Sequence, residues 1–360
     1  MTPDGIDEMY SQLSPTVRMF FETELFYMNK FSSQNGGKVA SRANGYQAKI
    51  IKGSTNDGIE RYYSYQAMTT PANTSIASAG AVDVDQAPPT LNTRVLTGDY
   101  GITYGYVNRE LYHKVKGGKG GQSRNDMSDH LATELAQSMS TKLNSDIYAN
   151  GATNAIDGFE HWVKTTGTKW NSEDMTTATY LKGRAETTLT LATWNVPNIR
   201  RVIRRTHQGL IGTSISEGRK PSFCVCNSAL LDILKDELDK LKILNQGPSP
   251  EQSAEKFPFL GVLDDYVFVD GVLFFTDYYL DDNLGGNAGI FYMGNHLDFE
   301  IIVHQDYMFS DWDAVKEDKK VTGKWKNIPG KLDRDVAVSM MLWNLYHKRP
   351  RNFTKGTLAT

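Results

Sequence analysis

Three stretches carry residue types that bind phosphate or metal, and each lacks the spacing its chemistry needs. Gly117-Gly118-Lys119-Gly120-Gly121-Gln122-Ser123 has the glycines, lysine and hydroxyl of a phosphate-cradling loop. Backbone N–H groups wrap phosphate oxygens only in the GxxxxGK[ST] register, which is missing, so the stretch reads as a glycine hinge. Cys224-Val225-Cys226 could be half of a metal site. A closed site needs about four ligands, but the chain has 2 cysteines in all, and His207 is far away in sequence. Residues two apart on a strand share a face, so buried thiols are expected. Asp281-Asp282-Asn283-Leu284-Gly285-Gly286-Asn287 has calcium-loop residue types, but the glycine position and the closing glutamate are wrong; it reads as a solvated turn. The 7 histidines form no HExxH pattern and no serine sits in a GxSxG elbow. Carboxylate pairs such as Asp264-Asp265 and Asp311/Asp313 arise readily by chance among 42 acidic residues and need no acid–base role. The expectation is a protein that is not an enzyme, with no catalytic, cofactor-binding or metal-binding residue.

The bulk numbers point the same way. The chain has 360 residues, 39% of them hydrophobic, enough for a sizeable core of two to three domains. Its 39 basic residues against 42 acidic ones give a net charge of −3. A dedicated nucleic-acid binder usually has a basic excess, whereas a near-neutral wall around packed DNA lets the polyanion slide. Two cysteines make no disulfide framework. The apolar runs, such as Val272-Leu273-Phe274-Phe275, fall far short of the roughly 18 residues of a membrane span. The acidic opening Met1-Thr2-Pro3-Asp4-Gly5-Ile6-Asp7-Glu8 is no signal peptide. A protein that stays in a cytoplasm and avoids membranes is expected.

The elements that would position any surface follow from periodicity. Ser14-Pro15 starts a helix, with a hydroxyl cap and proline at the first helical position. Val17, Phe20, Phe21, Leu25 and Met28 form its apolar stripe until Ser32–Gly37 breaks it. Tyr46–Ile51 and Glu60–Tyr65 read as strands joined by an Asn56-Asp57-Gly58 hairpin turn. Thr69–Pro89 has little to bury, and Leu91–Lys116 is extended again. A helix over 126–150 carries Leu131, Leu135, Met139, Leu143 and Ile147 at i, i+4 spacing, with Asp126 and Asp129 in its first turn. Residues 156–222 read as strand, loop and then a helix opened by Trp194-Asn195-Val196-Pro197, with Ile199, Val202 and Ile203 inside. Phe223–Asn227 is a buried strand. Ser228–Leu244 is a leucine-rich helix. Tyr266–Phe275 reads as two strands around Asp270-Gly271, followed by strands at Gly289–Met293 and Phe299–Val303. Val336–His347 is compatible with helix or strand; its β-branched and aromatic residues favour strand.

Two groups look like contact surfaces. Tyr62, Tyr63 and Tyr65, with Tyr100, Tyr104 and Tyr106, are many aromatics for a thin hairpin, which is marginal alone. Such surface marks an interaction site, and tyrosine suits interfaces, although packing across the hairpin is the plainer alternative. Arg200, Arg201, Arg204 and Arg205 form the outer face of their helix and could meet DNA, a neighbour's acids or solvent. The inter-subunit contacts expected are Tyr62, Tyr63, Tyr65, Tyr104, Tyr106, Phe20, Phe21, Arg200 and Arg204.

The order of these parts resembles the major capsid (coat) proteins of tailed bacteriophages, a fold also used by encapsulin nanocompartments. The resemblance starts at Ile147-Tyr148-Ala149-Asn150-Gly151 through Ile156-Asp157-Gly158-Phe159-Glu160, which looks like the end of that family's spine helix. It continues through Phe223–Asn227 with its following helix, Gly289–Tyr307, and Leu345-Tyr346-His347-Lys348-Arg349-Pro350-Arg351-Asn352 as a closing strand. It implies an α+β fold with an N-terminal arm (1–45), an extended β-hairpin E-loop (46–116), a peripheral P-domain (117–222) with a spine helix (126–150), an axial A-domain (223–290) and a return to the P-domain with a C-terminal strand (291–360).

The resemblance implies a subunit that self-assembles into the hexamers and pentamers of an icosahedral shell enclosing double-stranded DNA. The virion would be built in the host cytoplasm, with DNA held by non-specific proximity. Only about 45 residues precede the ribbon, so a separate scaffolding protein is implied, along with a portal. The alternatives are an encapsulin-type shell with an enzyme cargo, a cytosolic α+β enzyme, and a minor virion or tail protein.

Overall fold

The computed structural model describes residues 12–20, 49–52, 58–67, 90–99, 101–108, 122–151, 155–164, 166–169, 173–174, 182–208, 219–240, 265–310, 326–327 and 335–360. The first element among the described residues is helix α1 (Pro15–Phe20), where the Ser14 hydroxyl accepts from Val17 N–H at 3.4 Å. Strand β1 (Lys49–Lys52) is followed by β2 (Gly58–Ala67), β3 (Thr90–Asp99) and β4 (Gly101–Asn108). The expected hairpin between β1 and β2 does not form. β1 runs parallel to a strand near the other end of the chain, with Lys49 opposite Glu300, and β2 pairs with β3 from Gly58↔Asp99 to Ala67↔Thr90. The Asn-Gly or Asp-Gly type of turn signal is local, and it cannot report which distant edge offers β1 more burial.

Helix α2 (Gln122–Asp146) has 25 residues and is about 37 Å long at 1.5 Å per residue. It starts and ends earlier than expected, so Asp126 and Asp129 lie inside it rather than in its first turn. Gln122 to Asn125 are adequate helix formers directly after the glycine run. At the other end, Tyr148 N–H donates to Ser145 O (3.2 Å) and Ala149 N–H to Asp146 O (3.0 Å), tightening the last turn. Gly151 then takes φ +64°, a left-handed conformation that stops a helix. Leu135, Met139, Leu143 and Ile147 are buried along it, as their spacing predicts.

After the spine comes not a strand but helix α3 (Phe159–Val163). Gly158 makes this possible: a Cβ there would sit 2.5 Å from Ala149 N and 2.6 Å from Ile147 O. The two segments cross backbone to backbone, and Phe159 N–H donates to Ile147 O at 2.8 Å. Two short strands, β5 (Thr168–Lys169) and β6 (Glu173–Asp174), make a small hairpin. Then follow β7 (Arg184–Glu186), α4 (Val196–Gln208), β8 (Phe223–Cys226) and α5 (Ser228–Lys240). β9 (Tyr266–Val269) and β10 (Val272–Thr276) turn at Asp270 (φ +49°) and Gly271 (φ +78°), as a tight primed hairpin requires. The chain closes with α6 (Tyr278–Asp282), β11 (Gly289–Gly294), β12 (Phe299–Ser310), β13 (Lys326–Asn327), β14 (Asp335–His347) and β15 (Thr354–Leu358).

Two larger sheets organise these strands. The first is mixed and six-stranded, in the order β7-β15-β11-β8-β10-β9. Successive residues of β8 face opposite cores: Cys224 and Cys226 meet α4 and α5, whereas Phe223 and Val225 meet α1, α2 and α3. The second sheet runs β1-β12-β14-β13, with β4 also on β14. Ile301, Val303, Trp343 and Leu345 from this sheet enter the same core as Phe223. β15 was not expected after Arg349-Pro350-Arg351. That turn redirects the chain instead, and β15 pairs with β11 and β7. The six-stranded sheet thus draws strands from both sides of residues 223 and 290.

Candidate assembly surfaces

β2 and β3 form a two-stranded sheet of their own, ten residue pairs long and about 34 Å in extent. Tyr62, Tyr63 and Tyr65 occupy β2, opposite Val95, Arg94 and Asn92. Tyr104 and Tyr106 do not belong to this ribbon. They lie in β4, opposite Met340 and Val338 of β14, within the five-stranded sheet. The reason is topological: only Tyr100 separates β3 from β4, and the chain changes sheets there. Tyr100 itself and the Thr69–Pro89 stretch lie outside the described residues.

The N-terminal segment is bound to its own chain. Phe20 is 0% exposed. Its ring meets Phe159, Phe223 and Phe299 edge-on at 5.7, 5.8 and 5.2 Å. Ser14 N–H donates to Asn144 Oδ1 (2.8 Å), and Asn144 Nδ2 donates to Gln12 O (3.3 Å). Tyr148 donates its phenol proton to Asp277 Oδ2 (2.8 Å), which leaves the Thr16 hydroxyl to donate to the Tyr148 oxygen at 2.7 Å. Burial, reinforced by the charge of Asp277, holds that phenol well above its usual pKa. Phe20 is therefore an internal anchor and not an exposed contact, a correction to the sequence reading. A helix stripe needs cover, but the stripe does not say whose core supplies it. Phe21 lies outside the described residues.

The basic face of α4 is partly internal as well. Arg200 Nε donates to Asp270 Oδ1 at 3.2 Å, tying the helix to the β9–β10 turn. Arg205 reaches Glu186 on β7 (3.4 Å), which Arg184 also contacts (3.3 Å). Burial would raise the Glu186 carboxyl, but the Thr188 hydroxyl and the two guanidinium groups outweigh it and hold the pKa below the ordinary value. Arg204 is exposed, with Nε 3.4 Å from Arg200 O; Arg201 is exposed.

The fold as a whole is similar to that of solved structures. A chain of the cyanophage A-1(L) capsid asymmetric unit matches with a TM-score of 0.51 and 14% identity, over 86% of this chain and 90% of that one. A chain of the cyanophage Pam1 capsid asymmetric unit matches with a TM-score of 0.50 and 12% identity, over 84% and 85%. The chain has a phage capsid fold. No family model matches the sequence, and no curated sequence is significantly similar to it.

Within this capsid fold the chemical motifs take structural roles. Cys224 and Cys226 are fully buried. Burial pushes both thiols up, with further increments from Cys226 on Cys224 and from Asp281, Asp265 and Asp232 on Cys226. Asp281 Oδ1 accepts from Ser228 N–H (2.8 Å) and the Ser228 hydroxyl (2.9 Å), capping α5. Asp265 pairs with Lys235. No metal-holding group of His, Cys, Asp and Glu occurs among the described residues, and none of their helices is long and apolar enough to cross a membrane. Gly117–Gly121, Asp264, Asp311 and Asp313 lie outside the described residues.

Sequence reasoning missed a buried polar knot at the end of the spine. Asp157 N–H donates to Asn344 Oδ1 (2.8 Å), Asn344 Nδ2 donates to Asp157 Oδ2 (2.7 Å), and His161 lies 3.3 Å from Asp157. It joins residues 187 apart in sequence, so no local pattern could announce it.

Proposed function

We propose that the chain is a major capsid protein, the repeated subunit of an icosahedral shell around the double-stranded DNA of a tailed phage. The observation that carries this is the ten-pair ribbon standing apart from both body sheets in a chain with a phage capsid fold. A two-stranded ribbon gains little stability alone; laid across another copy it gains a partner. In this reading β2 and β3 are the E-loop, α2 is the spine of the peripheral P-domain with the five-stranded sheet, and the helix-flanked six-stranded sheet is the axial A-domain.

Each copy makes different contacts along its two flanks, and such head-to-tail contacts close into five- and six-membered rings. Many modest contacts then add by avidity. Tyr62, Tyr63 and Tyr65 are the proposed ribbon contacts. The net charge of −3 suits a wall that encloses DNA without gripping it. A separate scaffolding protein and a portal, with assembly in the host cytoplasm, complete the proposal. The role is structural and involves no catalysis.

The test is sizing followed by electron microscopy of the purified full chain and of a variant lacking Thr69–Pro89. Closed shells or ring-shaped capsomers from the parent, and a folded subunit without closed shells from the deletion, are expected. A monomer or dimer that ignores concentration and crowding refutes the shell role. Normal shells from the deletion refute the ribbon contact. Shells that co-purify with one enzyme and no DNA point to the nanocompartment alternative.

A further inference from the structure

Helices α4 and α5 lie side by side on one face of the six-stranded sheet, sharing the core of Cys224, Cys226, Phe274 and Phe291. Their outer faces carry opposite charge. After the internal pairs Arg200–Asp270 and Arg205–Glu186 are set aside, α4 keeps two exposed cations, Arg201 and Arg204. α5 keeps three exposed carboxylates, Asp232, Asp236 and Asp239, after Lys235–Asp265 and Lys240–Glu237 are set aside. None of these five has an ion-pair partner among the described residues.

The two groups of exposed charge belong to different helices of the layer. Arg205 reaches Glu186 on β7, one edge strand. Arg201 lies one turn before Arg205, on the same line of the helix. Lys235 reaches Asp265, next to β9, the other edge strand. Asp239 lies one turn after Lys235, again on one line. A layer with exposed cations on one helix and exposed carboxylates on its neighbour is complementary to a translated or rotated copy of itself, in the heterologous sense that closes rings.

We propose that Arg201 and Arg204 of one copy dock against Asp232, Asp236 and Asp239 of the next, so that α4 and α5 form the head-to-tail contact within a capsomer. This rests on the shell reading above and assigns it a contact. The partner is a second copy of this chain. Rim charges of this kind set register and association rate, and exposed pairs weaken with salt.

The experiment uses the full-length chain, R201E/R204E, D232K/D236K/D239K, and a chain carrying all five reversals. Sedimentation velocity reads capsomer formation from about 0.05 to about 0.5 M salt, over which the Debye length falls from roughly 14 to roughly 4 Å. Thermal melts of the exposed-site variants confirm folding. Each single-helix variant is expected to need about tenfold more protein to form capsomers and to lose the parent's salt dependence. The five-fold reversal, which exchanges the two signs, is expected to return to within about threefold of the parent. If the single-helix variants assemble like the parent at every salt concentration, or the combined reversal is no better than either, the docking contact is wrong while the shell role stands. If the parent forms no oligomer at all, the shell role fails and the contact fails with it.

Discussion

Replacing Phe20 by alanine separates an internal anchor from an arm that reaches a neighbour. The side chain is 0% exposed and is ringed by Phe159, Phe223 and Phe299 at 5.2 to 5.8 Å. Those rings come from α3, β8 and β12, three elements fixed by the spine and by both sheets, so the void has little freedom to collapse. Truncation of a buried phenylalanine costs about 3–5 kcal/mol, and the lost edge-to-face geometry favours the upper half of that range. With a urea slope of ~3 kcal/mol/M, the unfolding midpoint of the dispersed subunit should fall by more than about 1 M. The assay is urea unfolding followed by tryptophan fluorescence, at a protein concentration where the parent remains a subunit. Trp162 lies in the same core and reports on it. A midpoint within about 0.2 M of the parent, together with loss of capsomers, would refute the reasoning and return Phe20 to the interface.

Two further substitutions test the interior. Gly356→Ala would place a Cβ 1.8 Å from Phe291 Cε1. Phe291 is itself locked against Trp194 at 5.0 Å, so β15 should detach at a cost above about 3 kcal/mol. Trypsin cleavage at Lys355 in otherwise native protein reads this, and continued resistance would count against the packing. Asp298 is 2% exposed, and burial raises its carboxyl despite Arg349, Arg219 and Lys348. A raised folded-state pKa means that the native form binds the proton more tightly than the unfolded chain does. The penalty is therefore absent below the unfolded value of about 4 and complete above the folded value. Asp298→Asn should raise the urea midpoint at pH 7 and lose that advantage below about pH 4; a gain that is equal at both pH values would show that ionisation is not the cause.

What the sequence announces well is local. Ile199, Val202 and Ile203 mark α4 through their spacing, Asp270-Gly271 marks the β9–β10 turn, and the β-branched and aromatic run of β14 marks a strand; all three stand in the structure. What it hides depends on distant partners. β1 has no local reason to choose the edge of β12. Tyr104 and Tyr106 look like ribbon residues until β14 claims their strand. Of the expected contact residues, Arg200 is held by Asp270 and Phe20 by the core, while Arg204 remains exposed. No sequence pattern singles out the exposed aspartates of α5. Their meaning depends on knowing that the two helices share a layer.

The placement of β14 and β15 bears on the timing of biosynthesis. β14 lies between β12 and β4, and β15 lies between β11 and β7, so each sheet receives an inner strand from the segment made after everything it pairs with. A nascent chain interrupted before residue 335 has two sheets with a missing interior strand and the Trp162 indole N–H without its Leu345 carbonyl. Completion of both sheets thus waits on the ribosome until β14 and β15 have been made. Copies terminated before β14 therefore leave both body sheets open at an interior position, with unpaired strand edges facing each other across the gap.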